Sequence, residues 1–148
     1  MELFLDARSE AKQGTAKYDG HVWRLFVVPP TKQFPAPAVY VKHPFGRRDG
    51  GHPVAPLRGV VVGATVHGDG YALELKLPLN NFPAIRKRLS ANALFSVGFD
   101  IAVSDRDDVT ALKRKSGIVW AGTAQNDENA APFGRLLIES ATARKTGK

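Results

Sequence analysis

The sequence predicts an all-β domain, an antiparallel β-sandwich of jelly-roll-like form with one short helix. Three observations predict it: several short segments rich in β-branched and aromatic residues, turn signals between them, and almost no helical pattern. The chain has 148 residues, of which 43% are hydrophobic, enough for one core. We expect a single domain over residues 1–140 and a disordered basic tail over residues 141–148.

The first half of the chain contains three predicted strands and a long loop. Residues 2–8 are apolar-rich with partial alternation, and residues 21–28 are β-branched and aromatic until Pro29 ends the run. A shorter strand is predicted at residues 38–41. Residues 46–53 are rich in glycine and charge, which indicates an exposed loop.

The clearest hairpin of the sequence lies within residues 60–77. The first strand, residues 60–66, runs into a glycine-containing turn, and the chain returns in residues 71–77. Apolar and polar residues alternate along the return strand, a pattern that is typical of a sheet with one side exposed to solvent.

The last part of the chain begins with the one predicted helix, residues 83–91, where Pro83 suits the first helical position. The strongest strand follows at residues 94–103, with apolar side chains at alternate positions. Two short strands are predicted at residues 117–120 and 135–139, separated by a polar loop. The residues expected to lie between the two layers include Leu5, Leu73 and Phe99.

Several classes of function find no support in the sequence. There is no cysteine, which excludes disulfides, thiolate nucleophiles and cysteine metal sites. The four histidines lack the spacing of a metal-binding helix, no serine lies in a nucleophile elbow, and no glycine-rich phosphate loop follows a strand. The domain is therefore predicted not to be an enzyme.

The charge and the termini give further expectations. The formal net charge is +7, but the basic residues are dispersed and no aromatic residues interleave with them, so nucleic acid is not the expected partner. No run of 18 apolar residues is present, so no membrane span is expected. The N-terminus lacks the basic region of a signal peptide.

Residues 104–108 are rich in acidic side chains and are predicted to form a turn, which has two possible interpretations. Carboxylates at alternate positions can coordinate calcium, although the glycine and distal glutamate of an EF-hand are absent. The alternative is that Asp105 accepts hydrogen bonds from backbone N–H groups and stabilises the turn without a metal.

The role of the two tryptophans also has two interpretations. An aromatic ring stacks on the C–H face of a sugar ring, which makes Trp23 and Trp120 candidates for a ligand platform. Each lies in a stretch rich in β-formers, so the alternative is packing in the core.

Four motifs in order resemble the family 9 carbohydrate-binding modules and their DOMON-like relatives. They are Glu2-Leu-Phe-Leu-Asp-Ala-Arg8 followed by the strand that contains Trp23, Gly70-Tyr-Ala-Leu-Glu-Leu-Lys-Leu-Pro78, Gly98-Phe-Asp-Ile-Ala-Val-Ser-Asp-Arg-Asp107, and Trp120-Ala-Gly with Phe133-Gly-Arg-Leu-Leu137. The resemblance implies a β-sandwich that binds oligosaccharide or polysaccharide without catalysis, in an extracellular or periplasmic setting. It also implies structural calcium in some members.

The resemblance and the pattern together give the candidate site residues. The candidate ligand-binding residues are Trp23, Arg24, Tyr40, Gln125, Asn126 and Asp127. By matching order, the candidate metal ligands are Asp6, Asp105 and Asp107. Trp120 matches a framework tryptophan of the family, which predicts a buried side chain.

Two features depart from the family pattern. The strands that usually precede the first motif are not found before residues 2–8, so either the chain begins late or another chain or edge arrangement covers the gap. An uncovered sheet edge would allow a homodimer. Asp127 stands where the family has its late platform tryptophan, so one wall of the usual two-tryptophan clamp is absent. The alternative function is therefore a structural or interaction domain without saccharide affinity.

A haem-binding relative would need axial histidine or methionine ligands, and Met1 is the only methionine.

Overall fold

Eight β-strands and one α-helix form the regular structure of the described residues, which in the computed structural model are 1–30, 32, 35–41, 57–68, 70–91, 94–105 and 116–139. The elements are β1 (Glu2–Asp6), β2 (Val22–Val28), β3 (Ala38–Val41), β4 (Val61–His67), β5 (Gly70–Lys76), a 3₁₀ turn (Leu79–Asn81), α1 (Pro83–Ala91), β6 (Leu94–Asp105), β7 (Ser116–Val119) and β8 (Gly134–Glu139). The all-β prediction is confirmed, and every strand pair in these ranges is antiparallel. The predictions for the loop at 46–53, for Asp107 and for the tail fall outside the described residues.

The large sheet has six strands, with β1 at its centre. Its order is β3-β2-β1-β6-β7, and β8 also pairs with β6. Strand β1 lies along one edge of β6, while β8 and β7 lie end to end along the other edge, opposite residues 94–99 and 102–105. The hairpin β4-β5 forms the second sheet described.

One face of the large sheet carries the main hydrophobic core. Because side chains alternate along a strand, Leu3 and Leu5 of β1 share this face with Leu25 of β2. Helix α1 covers the face through Ile85, which is 1% exposed. The cluster also includes side chains from β6, from the residue after the 3₁₀ turn, from β5 and from the residue after β5: Phe95, Val97, Phe82, Leu75 and Leu77.

The opposite face of the large sheet is polar yet buried. It carries the alternate residues Glu2, Phe4 and Asp6 of β1, all of which are buried. Two loops, residues 9–20 and 120–133, cover it, and Tyr18 and Phe133 pack together there. Strand β1 is therefore buried on both faces, which requires a polar partner for each of its carboxylates.

The observed elements follow the predicted ones closely, with one wrong expectation. Helix α1 has the predicted bounds, and β6 extends two residues beyond the predicted strand. Trp120, expected to be buried, is 59% exposed, because it follows β7 at the outer edge of the sheet, where its ring lies beside Gly134 and edge-on to Phe99. In the described ranges, no helix has the length and apolar character needed to cross a membrane.

Candidate functional site

A cleft of about 280 Å³ opens on the polar face of the large sheet. Strands β1 and β2 form its floor, the ends of β6 and β7 form one wall, and the loop at residues 123–127 forms the other. The residues that line it are Glu2, Phe4, Arg24, Ala102, Val103, Ser104, Gly117, Ile118, Val119, Thr123, Ala124, Asn126 and Asp127.

Arg24 is held rigidly in the floor of this cleft. Its Nε and Nη2 atoms contact Oε2 of Glu2 at 2.7 and 2.6 Å. Its guanidinium lies 5.7 and 5.0 Å from the ring centres of Phe4 and Phe26. Both members of the Glu2–Arg24 ion pair are buried, so the charge that each contributes is compensated by the other.

Asp127 brings a second carboxylate to the cleft from the loop. Its Oδ2 atom lies 3.4 Å from Nη1 of Arg24, and its side chain is 42% exposed. At this distance the contact with Arg24 is loose, and the carboxylate remains open to solvent and to a ligand. Arg24 and Asp127 thus offer donors and an acceptor at neighbouring points of one cleft.

The loop that carries Asp127 is fixed to the sheet by Asp100, which is fully buried. One oxygen of Asp100 accepts from the backbone N–H groups of Ile101 and Ala121, at 2.8 and 2.9 Å. The other accepts from the Gly122 backbone at 2.6 Å and from the Asn126 side chain at 2.5 Å. A side chain at Gly122 would clash with both Asp100 and Asn126, so the close approach of the loop requires glycine there.

Asn126 and Tyr18 complete the attachment of the loop. The Asn126 side-chain oxygen accepts from the Thr123 backbone at 2.8 Å, and its residue is 2% exposed. The Tyr18 hydroxyl donates to the Asn126 carbonyl oxygen, which joins the two loops that cover the polar face. Burial raises the pKa of Tyr18 above its ordinary value.

The raised pKa of Tyr18 predicts a loss of stability at alkaline pH. In the unfolded chain this phenol ionises near its ordinary value of 10.0, whereas in the folded chain it keeps its proton. The unfolded state is therefore favoured as pH rises above that value, until the folded pKa is reached. We expect the melting temperature of Tyr18→Phe to fall less steeply than that of the wild type between about pH 9 and about pH 11. Equal slopes would contradict this role for Tyr18.

The structure brings three of the predicted ligand-binding residues to the cleft and leaves three outside it. Arg24, Asn126 and Asp127 line it. Gln125 is exposed on the same loop, and its Oε1 atom accepts from the Thr123 hydroxyl. Tyr40 is 61% exposed on the same face of the sheet, two strands from Glu2 and about 10 Å from it across the strands.

Trp23 lies on the other side of the sheet from Arg24. Its ring packs edge-to-face on Phe82 at 5.2 Å, and it borders an open depression near Arg58 and Pro78. Consecutive strand residues point to opposite faces, so Trp23 and Arg24 cannot contact the same small ligand.

Of the three candidate metal ligands, only Asp6 and the backbone of Asp105 lie within the described residues, and these two are far apart. Asp6 pairs with Gly98, seven residues before Asp105 along β6, so their backbones are roughly 23 Å apart. The Asp6 carboxylate is already occupied by the Arg8 guanidinium, at 2.8 and 2.7 Å. In the described part of the chain, no group of three or more histidine or acidic side chains is placed to hold a metal ion.

Two residues of this region were missed by the sequence reasoning, Glu2 and Asp100. Each is a carboxylate on the polar side of a strand whose other side is strongly apolar. Glu2 and Asp6 stand at the two ends of β1, four residues apart and so on one face, and the three residues between them are all hydrophobic. That pattern was a usable signal, because buried carboxylates require partners and so indicate a polar network.

Comparison with known protein families decides the relationship that the motifs indicate. The model of the carbohydrate family 9 binding domain-like family matches residues 1–141. The chain belongs to this family. The resemblance to family 9 carbohydrate-binding modules is thereby confirmed, and the family points to carbohydrate binding in general. No curated protein and no solved structure matches the chain.

Proposed function

We propose that this family 9-like domain binds a saccharide in the cleft above Glu2 and Arg24, as a non-catalytic, extracellular or periplasmic module. The observation that carries the proposal is the placement of Arg24 and Asp127 at 3.4 Å from each other in one cleft. A guanidinium beside a carboxylate supplies donors and acceptors for neighbouring sugar hydroxyls, which can both accept and donate.

Arg24 is suited to this role because its side chain is already ordered before a ligand binds. Its three contacts with Glu2 and Asp127 engage three of its five N–H groups, and the two phenylalanine rings hold the guanidinium plane. The remaining donors keep a fixed direction, and a preformed donor loses little conformational entropy when a ligand binds.

Asp127 supplies the acceptor, and its position depends on the buried network beneath it. Asp100 and Asn126 fix the loop that carries Asp127. They accept hydrogen bonds from the Gly122 and Thr123 backbones, and the Asn126 side chain donates to Asp100. Because that network is buried and fully bonded, Asp127 is held at the cleft although its own side chain is partly exposed.

The apolar surface of this cleft comes from strand side chains other than tryptophan. Val119 of β7 lines one wall on the same face of the sheet as Glu2, Phe4 of β1 lies in the floor, and neither tryptophan is among the lining residues. The C–H face of a sugar would lie against this wall by dispersion. The tryptophan platform expected from the family is thus replaced in this cleft by strand β7. This agrees with the presence of Asp127 at the position where the family has its late platform tryptophan.

The two carboxylates of the cleft do not have separate surroundings suited to glycosidase chemistry. Both contact the same guanidinium, and Glu2 is buried beneath it. A glycosidase requires one carboxyl group kept protonated by its environment and a second one kept ionised. This geometry supports binding without catalysis.

A glycan-array screen followed by calorimetric titration of the bound saccharide tests the proposal. We expect Asp127→Ala to weaken binding by about tenfold or more, because it removes charged hydrogen bonds to the sugar while leaving the exposed loop position free to fold. Glu128→Ala, which removes the neighbouring exposed carboxylate outside the cleft, is the matched control and should bind as the wild type does. No binding across the array, or equal binding by Asp127→Ala, would contradict the proposal.

A further inference from the structure

We infer that Asp127 makes the cleft selective for the charge of its ligand: the cleft takes neutral and amino sugars and rejects sugar acids. This inference rests on the proposed function and adds the chemical class of the saccharide. It concerns Asp127, whose charge is not fully balanced by the described residues that line the cleft.

The charges of the described residues that face the cleft leave a negative excess. Among its described lining residues, the charged ones are Glu2, Arg24 and Asp127. The guanidinium of Arg24 makes its two short contacts, 2.6 and 2.7 Å, with Glu2, whereas Asp127 lies farther away. Because Arg24 is compensated first by the buried Glu2, Asp127 remains the charge that a ligand meets.

The exposure of the two carboxylates gives them different roles. Glu2 is 4% exposed, and its Oε2 atom makes both short contacts with the Arg24 guanidinium, so its charge is compensated within the fold. The Asp127 side chain is 42% exposed and stands on the loop wall. A ligand carboxylate placed near Arg24 would therefore also lie within a few ångströms of Asp127, and like charges at that distance repel one another.

The whole domain would favour the opposite selectivity. Its formal net charge is +7, which attracts anionic ligands at long range. Long-range attraction is screened over about 8 Å at physiological ionic strength, while a contact inside a partly enclosed cleft is screened much less. The local charge of Asp127 and the overall charge of the domain thus predict opposite preferences, and one experiment separates them.

The test uses three β-1,4-linked trimers that differ in one substituent per ring, those of glucose, glucosamine and glucuronic acid. Calorimetric titrations of the wild type are made near physiological ionic strength. We expect the glucuronic acid trimer to bind about tenfold more weakly than the glucose trimer, and the glucosamine trimer at least as tightly as the glucose trimer.

Two variants with the same change in net charge identify the residue responsible. Asp127→Asn keeps the shape of the side chain and should bring the glucose and glucuronic acid trimers to within about threefold of each other. Glu128→Gln raises the net charge equally but lies outside the cleft lining, and should retain the wild-type discrimination.

Each outcome decides one statement. Binding of the glucose and glucuronic acid trimers with equal affinity by the wild type, or tighter binding of the acid, would overturn the inference and leave saccharide binding intact. The same loss of discrimination in both variants would assign the selectivity to overall charge and also overturn it. Failure of all three trimers to bind would overturn the inference, which requires the glucose and glucosamine trimers to bind, whereas the proposed function is contradicted only if no saccharide of the array binds.

Discussion

Replacing Asp100 by alanine is expected to lower the free energy of unfolding by about 4 kcal/mol, a large part of the roughly 5–15 kcal/mol available to a domain of this kind. The carboxylate accepts four hydrogen bonds within the fold, three of them from backbone N–H groups. Alanine removes the acceptor of three partly buried backbone N–H groups and leaves the buried Asn126 amide without this partner. The loop at residues 120–133 would then detach from the polar face.

Chemical denaturation followed by circular dichroism measures this effect. Asp100→Asn retains one oxygen but presents an NH₂ group to donors, so we expect it to lie between the wild type and Asp100→Ala. Gln125→Ala is the control on the same loop, because Gln125 is exposed and should change stability by less than about 0.5 kcal/mol. A loss below about 1 kcal/mol for Asp100→Ala would show that this network does not hold the loop.

The second large effect is expected for Arg8→Met, which should cost about 3–5 kcal/mol. Asp6 and Arg8 form an ion pair with side chains 1% and 3% exposed, and both carboxylate oxygens of Asp6 accept from the guanidinium. Arg8 also donates to the carbonyl oxygens of Thr15 and Lys17, which ties the loop at residues 9–20 to β1. Methionine keeps the apolar stem of the side chain but leaves Asp6 as an uncompensated buried charge.

A double variant separates the ion pair from the packing around it. Asp6→Asn combined with Arg8→Met removes both charges, and we expect it to recover part of the stability lost in Arg8→Met alone. Lys12→Met removes one positive charge from the same loop at an exposed position and should leave the unfolding midpoint nearly unchanged. If Arg8→Met and Lys12→Met have equal midpoints, the pair does not stabilise the fold.

Local pattern was sufficient to predict most of the elements of this fold. Proline at the first helical position and the apolar residues that follow gave helix α1 its correct bounds, and strict alternation identified β6. These signals depend on neighbours within a few residues, where the chain geometry is regular. The burial of Trp120 was expected from the family resemblance and not from a local pattern, and this expectation was wrong, because the side chain is 59% exposed.

The candidate site was less accessible to sequence reasoning. Alternation alone separates Trp23 from Arg24, and that conclusion was available from the strand prediction. The pairing of Arg24 with Asp127 was not, because these residues are 103 positions apart and meet only through the strand order of the large sheet. The function of Asp100 was hidden for the same reason, since its partners lie in a loop more than twenty residues away.

The central position of β1 has a consequence for how ligand occupancy and folding are linked. The cleft is formed by the first two strands and by a loop that lies 103 positions later in the sequence. It therefore exists only when these distant parts of the chain are in contact. A saccharide that touches both Arg24 and Asp127 would bridge these parts and bind only the closed chain. Occupied domains would then open less often and resist proteolysis longer than empty ones.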